Sequence, residues 1–266
     1  MKLLNEKLSI IKENWKGNQV DNQGRYMNLN SPSERGYLDL LKWQLKRNTF
    51  RNFKKNQKTN VTVYESSQFV NDEANGFTWL GHASFFITLD HINIITDPVF
   101  YNLGPLKRFT PMPCDVSRLD NIQVILLSHN HRDHMDEKSM KQLCKQNPSA
   151  IIYTGLEIGS LLVKWKIKNE IVEAGWYQAF PSINNIHFSY LPAKHWNRRG
   201  LRDLNEMLWG SFIIKNNDHC LYFGGDSGID DHFLDVKKLY TKIDYAFIGI
   251  GAYEPNWFMR PAHTSP

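Results

Sequence analysis

The sequence predicts a mixed α/β (α+β) fold in which two β-sheets pack face to face with helices on their outer faces. Runs of β-branched and aromatic residues typical of strands outnumber the helix-like patterns, and three such runs follow one another between residues 77 and 97. Helix-like patterns come only later, between the remaining strands. This order favours two packed sheets, because each sheet must bury a face against another layer.

The predicted elements follow one another with recognisable turns. A tight turn at Asp90-His91 joins the second and third strands, and a hairpin turn at residues 216–218 joins two later ones. The runs at residues 124–127 and 245–250 are apolar without polar alternation, so we expect both strands to be buried. The predicted strands cover residues 77–81, 84–89, 92–97, 124–127, 151–153, 170–172, 186–191, 212–214, 220–223 and 245–250, and the predicted helices cover residues 135–146 and 156–165.

One short segment directly after the buried strand at residues 124–127 carries an H-x-H-x-D-H pattern. Its members are His129, His131, Asp133 and His134. Neutral imidazoles and a carboxylate are good ligands for zinc or a similar divalent ion. At this spacing His129 and His131 can project to one side of an extended segment, whereas Asp133 and His134 lie one step further along. The segment therefore predicts a metal site, with its last two residues directed towards a second ion.

Three further candidate ligands also follow predicted strands. His195 comes after the strand ending at residue 191, and His263 follows the strand at residues 245–250. Asp226 follows two glycines, which allow the backbone to approach a site closely. A single His after a strand is more often a surface or supporting residue than a ligand, and a single Asp after Gly-Gly is usually a turn residue. It is the order of these three residues after the H-x-H-x-D-H segment that makes them ligand candidates.

The positive charge of the chain is concentrated near its start. Residues 1–60 carry 13 Lys or Arg against 5 Asp or Glu, whereas the whole chain has a net charge of only +5. We therefore divide the chain into a basic N-terminal arm, residues 1–60, and a main domain, residues 61–266. Residues 1–36 show little periodicity apart from a short helix-like pattern over residues 3–14. We expect them to form an extended or loosely docked arm.

Residues 37–58 of the arm combine seven Lys or Arg with interleaved apolar residues. Leu38, Leu41 and Leu45 recur at helical spacing, which predicts an amphipathic helix. Three roles fit this pattern: peripheral contact with an anionic membrane, binding of nucleic acid phosphates, or packing on the main domain with a solvated charged face. Of the two binding roles, membrane contact is preferred and nucleic acid is disfavoured. A homo-oligomer is also compatible with the sequence.

The cysteines and the apolar runs indicate a cellular compartment. Cys114, Cys144 and Cys220 are far apart and form no C-x-x-C pair, so they indicate neither a disulfide framework nor a thiolate zinc site. No stretch reaches the roughly 18 consecutive apolar residues of a membrane span. Residues 5–7 are polar and interrupt the apolar core that a signal peptide needs. We expect a cytoplasmic protein with at most peripheral membrane contact.

The order of the candidate ligands, H-x-H-x-D-H, then His, then G-D, then His, resembles the metallo-β-lactamase superfamily. Within it, the chain is most similar to the N-acylphosphatidylethanolamine-hydrolysing phospholipase D branch and its bacterial relatives. The superfamily fold is an αββα sandwich with two metal ions at one edge of the paired sheets. The segments that carry the resemblance are residues 78–84 (T-W-L-G-H-A-S), 96–98 (T-D-P), 104–109, 128–136, 195–199, 208–211, 225–228 and 250–259.

The resemblance implies a role for each candidate ligand. His129, His131 and His195 would hold the first ion, Asp133, His134 and His263 the second, and Asp226 would bridge both. Asp133, His134 and Asp226 are the candidate catalytic residues, and zinc is the preferred metal. Arg199, Trp196 and Trp257 are candidate substrate contacts. His82 is expected to have a structural or supporting role in the G-H-A-S turn. Asp97 either orients a ligand histidine or belongs to the turn at the end of its strand. His91, His187, His219 and His232 lack a motif and are expected at the surface.

The function implied is a phosphodiesterase of phospholipase D type acting on N-acylated phosphatidylethanolamine-like lipids. Two divalent ions about 3.5–4 Å apart can lower the pKa of a shared water, and the resulting hydroxide would attack phosphorus in line. One alternative is a metallohydrolase acting on a phosphorylated sugar lactone, a cyclic nucleotide or RNA. The other is a truncated, non-catalytic form that binds membranes.

The sequence departs from the family pattern after His263. Relatives continue with a further helix and a strand that carries an H-W-G-T-F-like element, whereas this sequence ends at Pro266. We therefore expect a sandwich that lacks its last helix and strand. We also expect His263 to be poorly held, the second-metal site to be weak and activity to be reduced.

Overall fold

The computed structural model describes residues 2–32, 36–46 and 62–266, and it shows two mixed β-sheets packed face to face. The first sheet has the strand order β1-β2-β3-β4-β5-β6 and the second β11-β10-β9-β8-β7. The predicted two-sheet fold is confirmed. The strands are β1 (Gly76–Gly81), β2 (Ser84–Leu89), β3 (Ile92–Thr96), β4 (Val124–Leu127), β5 (Ile151–Gly155), β6 (Ile171–Ala174), β7 (Gln178–Ala179), β8 (His187–Leu191), β9 (Ser211–Lys215), β10 (Cys220–Phe223) and β11 (Tyr245–Phe247).

The first sheet begins as an antiparallel meander and continues as a parallel sheet. Strands β1 to β3 pair antiparallel, and β3 to β6 pair parallel. Asp90 and His91 both have positive φ, as the tight turn between β2 and β3 requires. Parallel pairing places the carboxyl ends of β3 and β4 at the same edge of the sheet. The segment after β4 carries the H-x-H-x-D-H residues, so this edge positions the site.

Strand β4 explains how the sheets and helices form layers. Val124 and Leu126 face the core between the two sheets, where they join large side chains such as Phe188. Ile125 and Leu127 face the opposite side and join a second core. Because side chains alternate along a strand, a continuous apolar run is needed when both faces are covered. The predicted burial of this strand is confirmed.

Helices cover the sheets and match the predictions in part. Helix α2 begins at Glu137, two residues later than predicted, because the Asp136 side chain accepts a hydrogen bond from the Ser139 amide and caps the helix. Helices α4 and α5 and the short strand β7 were not predicted. The helices are α1 (Tyr37–Leu45), α2 (Glu137–Gln146), α3 (Ile158–Lys164), α4 (His232–Leu239) and α5 (Asn256–Met259). Within the described residues, no helix combines the length and apolar character that crossing a membrane requires.

Residues 2–32 are tightly docked, so the prediction of a loose arm is wrong for them. Tyr26 is almost completely buried in the core between the sheets. The amide of Gln178 donates to the carbonyls of Asn5 and Leu8, and Asn18 accepts from the Trp176 backbone. The predicted helix over residues 3–14 is also wrong. These residues form turns, and Ser9, Ile10 and Ile11 pair through their backbones with residues 177–179 of the second sheet.

The last strand differs from its prediction. Strand β11 is shorter than the predicted run at residues 245–250, and its residues are exposed or half-buried. Among the described residues it pairs with β10 alone and forms the edge of the second sheet. The prediction of a buried strand is wrong because burial depends on what lies beside an apolar run. Ile248 and Ile250, which follow the strand, are also exposed among the described residues.

Candidate metal centre

Three imidazoles converge at the carboxyl-terminal end of β4. The Nδ1 atom of His131 lies 2.9 Å from Nε2 of His129 and 3.2 Å from Nε2 of His195. His129 and His195 are buried, and the residue that carries the third ring is partly buried. Nitrogens at tetrahedral positions around one zinc ion lie roughly 3.3 Å apart, because each Zn–N bond is about 2.0–2.1 Å long. The three residues predicted for a first ion are therefore brought together.

Asp226 lies between this set and two further histidines. Its Oδ2 atom is 3.3 Å from Nε2 of His134, 3.8 Å from Nε2 of His195 and 3.7 Å from Nδ1 of His263. The preceding Gly225 has a φ of +56° and would place a Cβ 2.8 Å from the Ser128 side chain. Only glycine allows this approach of the β10 end to the metal loop. The Asp226 carboxylate therefore faces His134, His195 and His263 at once.

The buried carboxylate of Asp97 orients two of the histidines. Its Oδ2 lies 2.7 Å from Nδ1 of His134 and accepts from the Ser128 hydroxyl, and its Oδ1 accepts from the Ser128 amide. The same hydroxyl lies 2.9 Å from Nδ1 of His129. Both histidines thus use Nδ1 for this network and present Nε2 to the site. Orientation of ligand imidazoles by a carboxylate is a recurrent feature of metal centres.

The electrostatics of the centre suit a cation. Burial lowers the pKa of His129 and His195 well below the usual value and the pKa of His131 to about 4. These three rings are therefore neutral near pH 7, the form in which an imidazole nitrogen can bind a metal ion. For His134, burial by itself would lower the pKa. The carboxylates of Asp226 and Asp97 face its two ring nitrogens and outweigh burial, so the pKa of His134 lies well above its usual value. A positive charge is therefore favoured between Asp226 and His134.

The donor set fits a divalent metal ion. Nε2 of His134 is buried and makes no hydrogen bond within the part of the chain that the structure describes, although it faces Asp226. A buried polar atom of this kind is costly unless something binds it. Imidazole nitrogens and carboxylate oxygens are ligands for zinc and similar ions. The residues that would hold such ions are His129, His131, His195, Asp226, His134, Asp133 and His263.

Asp133 and His263 approach the centre from different sides. The ligand atoms of Asp133 lie with those of His134 and His82, whereas His263 groups with His195 and Asp226. The structure thus brings Asp133 and His263 to the centre, but their ligand atoms belong to different clusters of neighbouring donor atoms. Sequence reasoning assigned no ligand role to His82, and the only signal for it was its place in the G-H-A-S segment.

The segment that carries His263 is anchored at several points. The His263 amide donates to the Met259 carbonyl, and the Thr264 hydroxyl donates to the Ser227 carbonyl. Nδ1 of His195 lies 3.0 Å from the carbonyl oxygen of Ala262. The expectation that His263 is poorly held is therefore wrong, because its own backbone and both of its neighbours are hydrogen-bonded. The contacts of Thr264 and Ala262 join segments far apart in the sequence, so sequence reasoning could not find them.

The N-terminal segment also supports the centre, a role that the sequence did not indicate. Asn28 is buried, and its side-chain amide donates to the carbonyl of His195 while its oxygen accepts from the His195 amide. This double contact fixes the backbone that carries a first-ion ligand. A single Asn in a segment without periodicity gives no local signal for such a role.

The candidate substrate contacts have different surroundings. The Arg199 guanidinium donates to the carbonyls of Asn130 and Met135, so it clamps the metal loop while it also lines a neighbouring cavity. The Trp196 ring packs edge-on against His131 at 4.5 Å. Trp257 packs against Phe258 in α5 and is partly exposed. Substrate contact by these three residues stays a prediction.

His232 is buried, so its predicted surface position is wrong. Only 2% of this residue is exposed, and its Nε2 lies 3.1 Å from the Ser227 hydroxyl. Burial lowers the pKa of His232 to about 4. Its ring packs against Phe233 of helix α4, which the sequence analysis did not predict.

Comparison of the sequence with known protein families agrees with a metal-binding role for these residues. A family described as "Beta-lactamase superfamily domain" matches residues 92–266, which include every predicted metal ligand. The chain belongs to the metallo-β-lactamase superfamily. The match covers well over half of the chain, and it includes strands of both sheets. The superfamily is one of metal-dependent hydrolases, in agreement with the His- and Asp-rich centre.

Two curated relatives are 33% identical to the chain. One is the N-acyl-phosphatidylethanolamine-hydrolyzing phospholipase D 1 of Caenorhabditis elegans, aligned over 71% of this chain and 57% of the relative. The other is the mitochondrial N-acyl-phosphatidylethanolamine-hydrolyzing phospholipase D of Saccharomyces cerevisiae, aligned over 71% of this chain and 42% of the relative. The chain thus spans about half the length of these relatives.

Solved structures share the fold. The isothiocyanate hydrolase from Delia radicum gut bacteria superposes with a TM-score of 0.56, covers 71% of this chain and 76% of its own, and is 16% identical. At this identity the likeness concerns the fold alone. It supports the two-sheet arrangement that places the ligand-bearing loops together.

Replacing Asp97 with Asn should weaken metal binding about 10–100-fold, because the neutral amide no longer orients His134 and Ser128 as a carboxylate does. Competition for zinc against a chromophoric chelator measures the affinity. Asp115→Asn is the matched control, since Asp115 is an exposed Asp that caps a short helix away from the centre. Unchanged affinity in Asp97→Asn would contradict the orienting role.

Acidification should destabilise the protein partly through His232. Its folded-state pKa of about 4 lies below the ordinary 6.5, so its contribution to stability is present above pH 6.5 and is lost as pH falls towards 4. Roughly 2 kcal/mol of this loss falls between pH 6.5 and 5. Thermal unfolding at pH 7 and pH 5 should therefore show a smaller shift for His232→Gln than for the parent. Exposed His187 provides the control His187→Gln, which should shift like the parent.

Proposed function

We propose that the chain is a metal-dependent phosphodiesterase of phospholipase D type that acts on N-acylated phosphatidylethanolamine-like lipids at a two-ion centre. The observation that carries this proposal is the position of the Asp226 carboxylate, whose Oδ2 lies 3.3 Å from His134 and 3.8 Å from His195. One oxygen thus faces ligands of both predicted ions. The two relatives named as N-acyl-phosphatidylethanolamine-hydrolyzing enzymes support the substrate class.

The proposed reaction adds water across the phosphorus–oxygen bond to the N-acylated ethanolamine. The products are a phosphatidic acid and an N-acylethanolamine. Divalent ions at this centre, with zinc the preferred candidate, would activate water near neutral pH and offset negative charge on the phosphoryl oxygens. Asp97 and Ser128 keep Nε2 of His129 and His134 directed at the centre. This pre-orientation lowers the cost of assembling the site.

A cavity beside Asp133 offers room for part of such a substrate. Its volume is about 1070 Å³, and it lies between the loop at residues 102–106 and helix α2. Five cationic side chains line it against three acidic ones; the cations are Arg132, Lys138, Lys141, Lys145 and Arg199, and the acids are Asp133, Asp136 and Glu137. Some of these cations are engaged, since Lys141 pairs with Glu137. The excess of positive charge favours an anionic substrate such as a phosphodiester.

Hydrolysis of a defined N-acylated phosphatidylethanolamine in mixed micelles, followed by mass spectrometry of both products, tests the proposal. His131→Ala and Asp226→Asn should each lower kcat/KM at least about 100-fold, because each removes a ligand from the centre. His187→Ala, an exposed histidine outside the centre, is the matched control and should keep the parent rate.

A substrate panel decides between reaction classes. Turnover of phosphorylated lactones, cyclic nucleotides or RNA with none of the lipid would overturn the lipid assignment. No metal-dependent turnover of any phosphodiester or lactone would favour a non-catalytic protein.

We also propose that helix α1 makes peripheral contact with anionic membranes. Leu38, Leu41 and Leu45 are all exposed, and Trp43 stacks on Phe258 at 5.1 Å and joins the helix to α5. Lys42 and Lys46 add positive charge beside the exposed leucines. Residues 47–58 of the predicted basic segment lie outside the residues that the structure describes. Exposed leucines beside lysines are typical of a helix that lies at a membrane interface.

Sedimentation with vesicles tests the membrane contact. The parent should bind vesicles that contain an anionic phospholipid more strongly than neutral ones. Combined replacement of Leu38 and Leu41 with Gln should weaken binding to anionic vesicles several-fold. Val163→Gln removes an exposed apolar side chain from α3 and is the control. Equal binding of all forms would contradict a role for α1.

A further inference from the structure

His82 lies beside the candidate ligands, although its sequence context predicts only a structural or supporting role. It occupies the turn between β1 and β2, and its Nε2 atom is 3.4 Å from Oδ2 of Asp133. Its ring meets that of His134 edge-on, with centroids 5.0 Å apart. The potential ligand atoms of His82, Asp133 and His134 all lie within 4.8 Å of one another. Three potential metal-ligand atoms, from two segments far apart in the sequence, therefore lie close together.

The spacing of these atoms suits a shared ion better than a direct hydrogen bond. A charge-assisted bond between an imidazolium and a carboxylate is about 2.7–2.9 Å long. The 3.4 Å between His82 and Asp133 exceeds this range. It is close to the roughly 3.3 Å that separates two ligands of one tetrahedral zinc ion. Nε2 of His134 and Oδ2 of Asp226 are 3.3 Å apart, which also matches the spacing of two ligands of one ion.

The backbone of His82 is held in an unfavourable conformation. Its φ is +51°, a left-handed value that non-glycine residues adopt only at an energetic cost. The Trp79 indole donates to the His82 carbonyl over 2.8 Å and fixes the turn from one side. On the other side, the Arg108 guanidinium donates to the carbonyls of Val99 and Leu80 and packs directly against the backbone of the turn. These contacts hold the backbone that carries the His82 imidazole.

Part of the His82 side chain faces solvent, as does that of Asp133. By contrast, His134 is buried. An ion held between these three residues would therefore sit at the mouth of the centre. Its outer side would be open to an incoming substrate.

We propose that His82 is a ligand of the second divalent ion and binds it together with Asp133 and His134. The inference rests on the proposed two-ion centre and adds one imidazole to the ligands that the resemblance assigned. Asp226, whose Oδ2 faces His134, lies on the inner side of the same position. An additional ligand from the β1–β2 turn would connect the first hairpin of the chain to the metal loop.

Metal titration of the metal-free protein with Zn²⁺, followed by calorimetry and elemental analysis, tests this role without reference to activity. His82→Asn is the test variant, because Asn tolerates positive φ better than most residues. His91→Asn is the matched control, since His91 also sits in a hairpin turn with positive φ, is exposed and has no place in the centre. We expect His82→Asn to weaken the second binding step at least 10-fold and to leave the first unchanged. His91→Asn should match the parent in both steps.

The outcomes separate the two proposals. Two ions bound with parental affinities by His82→Asn would overturn the His82 assignment and leave the two-ion centre intact. A single ion bound by the parent would overturn the two-ion centre and the His82 assignment with it. Cobalt substitution gives a second measurement, because each imidazole bound to Co²⁺ produces a paramagnetically shifted proton resonance. The parent should show one such resonance more than His82→Asn, and equal numbers would contradict the proposal.

Discussion

The centre depends on one buried carboxylate. Asp97 is fully buried at the end of β3, and it binds both the Ser128 amide and hydroxyl and the Nδ1 atom of His134. Through Ser128 it also reaches His129. Burying a carboxylate is costly unless it is hydrogen-bonded. Its contacts offset that cost and at the same time fix the direction of two ligands, so stability and site geometry share the same network.

The same edge of the sandwich collects ligands from both sheets. Ser128 follows β4 in the first sheet, and its carbonyl accepts from the Tyr190 hydroxyl and the Gly210 amide of the second. Gly225 brings the end of β10 within contact of Ser128. These links hold two sheets in register at the point where His129, His195 and Asp226 converge. A metal centre at a sheet edge requires such cross-sheet contacts, because its ligands come from separate strands.

The exposed surface around β11 and α1 has a different character from the centre. Phe77 of β1 packs edge-on against Tyr245 and Phe247 of β11, so aromatic contacts close one side of the sandwich. Trp43 and Phe258 stack between α1 and α5. The leucines of α1 remain exposed among the described residues. Apolar side chains that are exposed on a helix beside lysines support the proposed membrane contact. The buried polar network of the centre instead orients the candidate metal ligands.

The sequence by itself determined the two-sheet fold, the buried strand β4 and the loop of ligands that follows it. These features are local: an unbroken apolar run needs both faces covered, and three imidazoles with a carboxylate in six residues indicate a metal site. The tertiary structure alone decided the docking of residues 2–32, the exposure of β11, the burial of His232 and the position of His82 beside Asp133. Each of these depends on contacts between residues far apart in the chain. A local pattern carries no information about which distant segment will lie beside it.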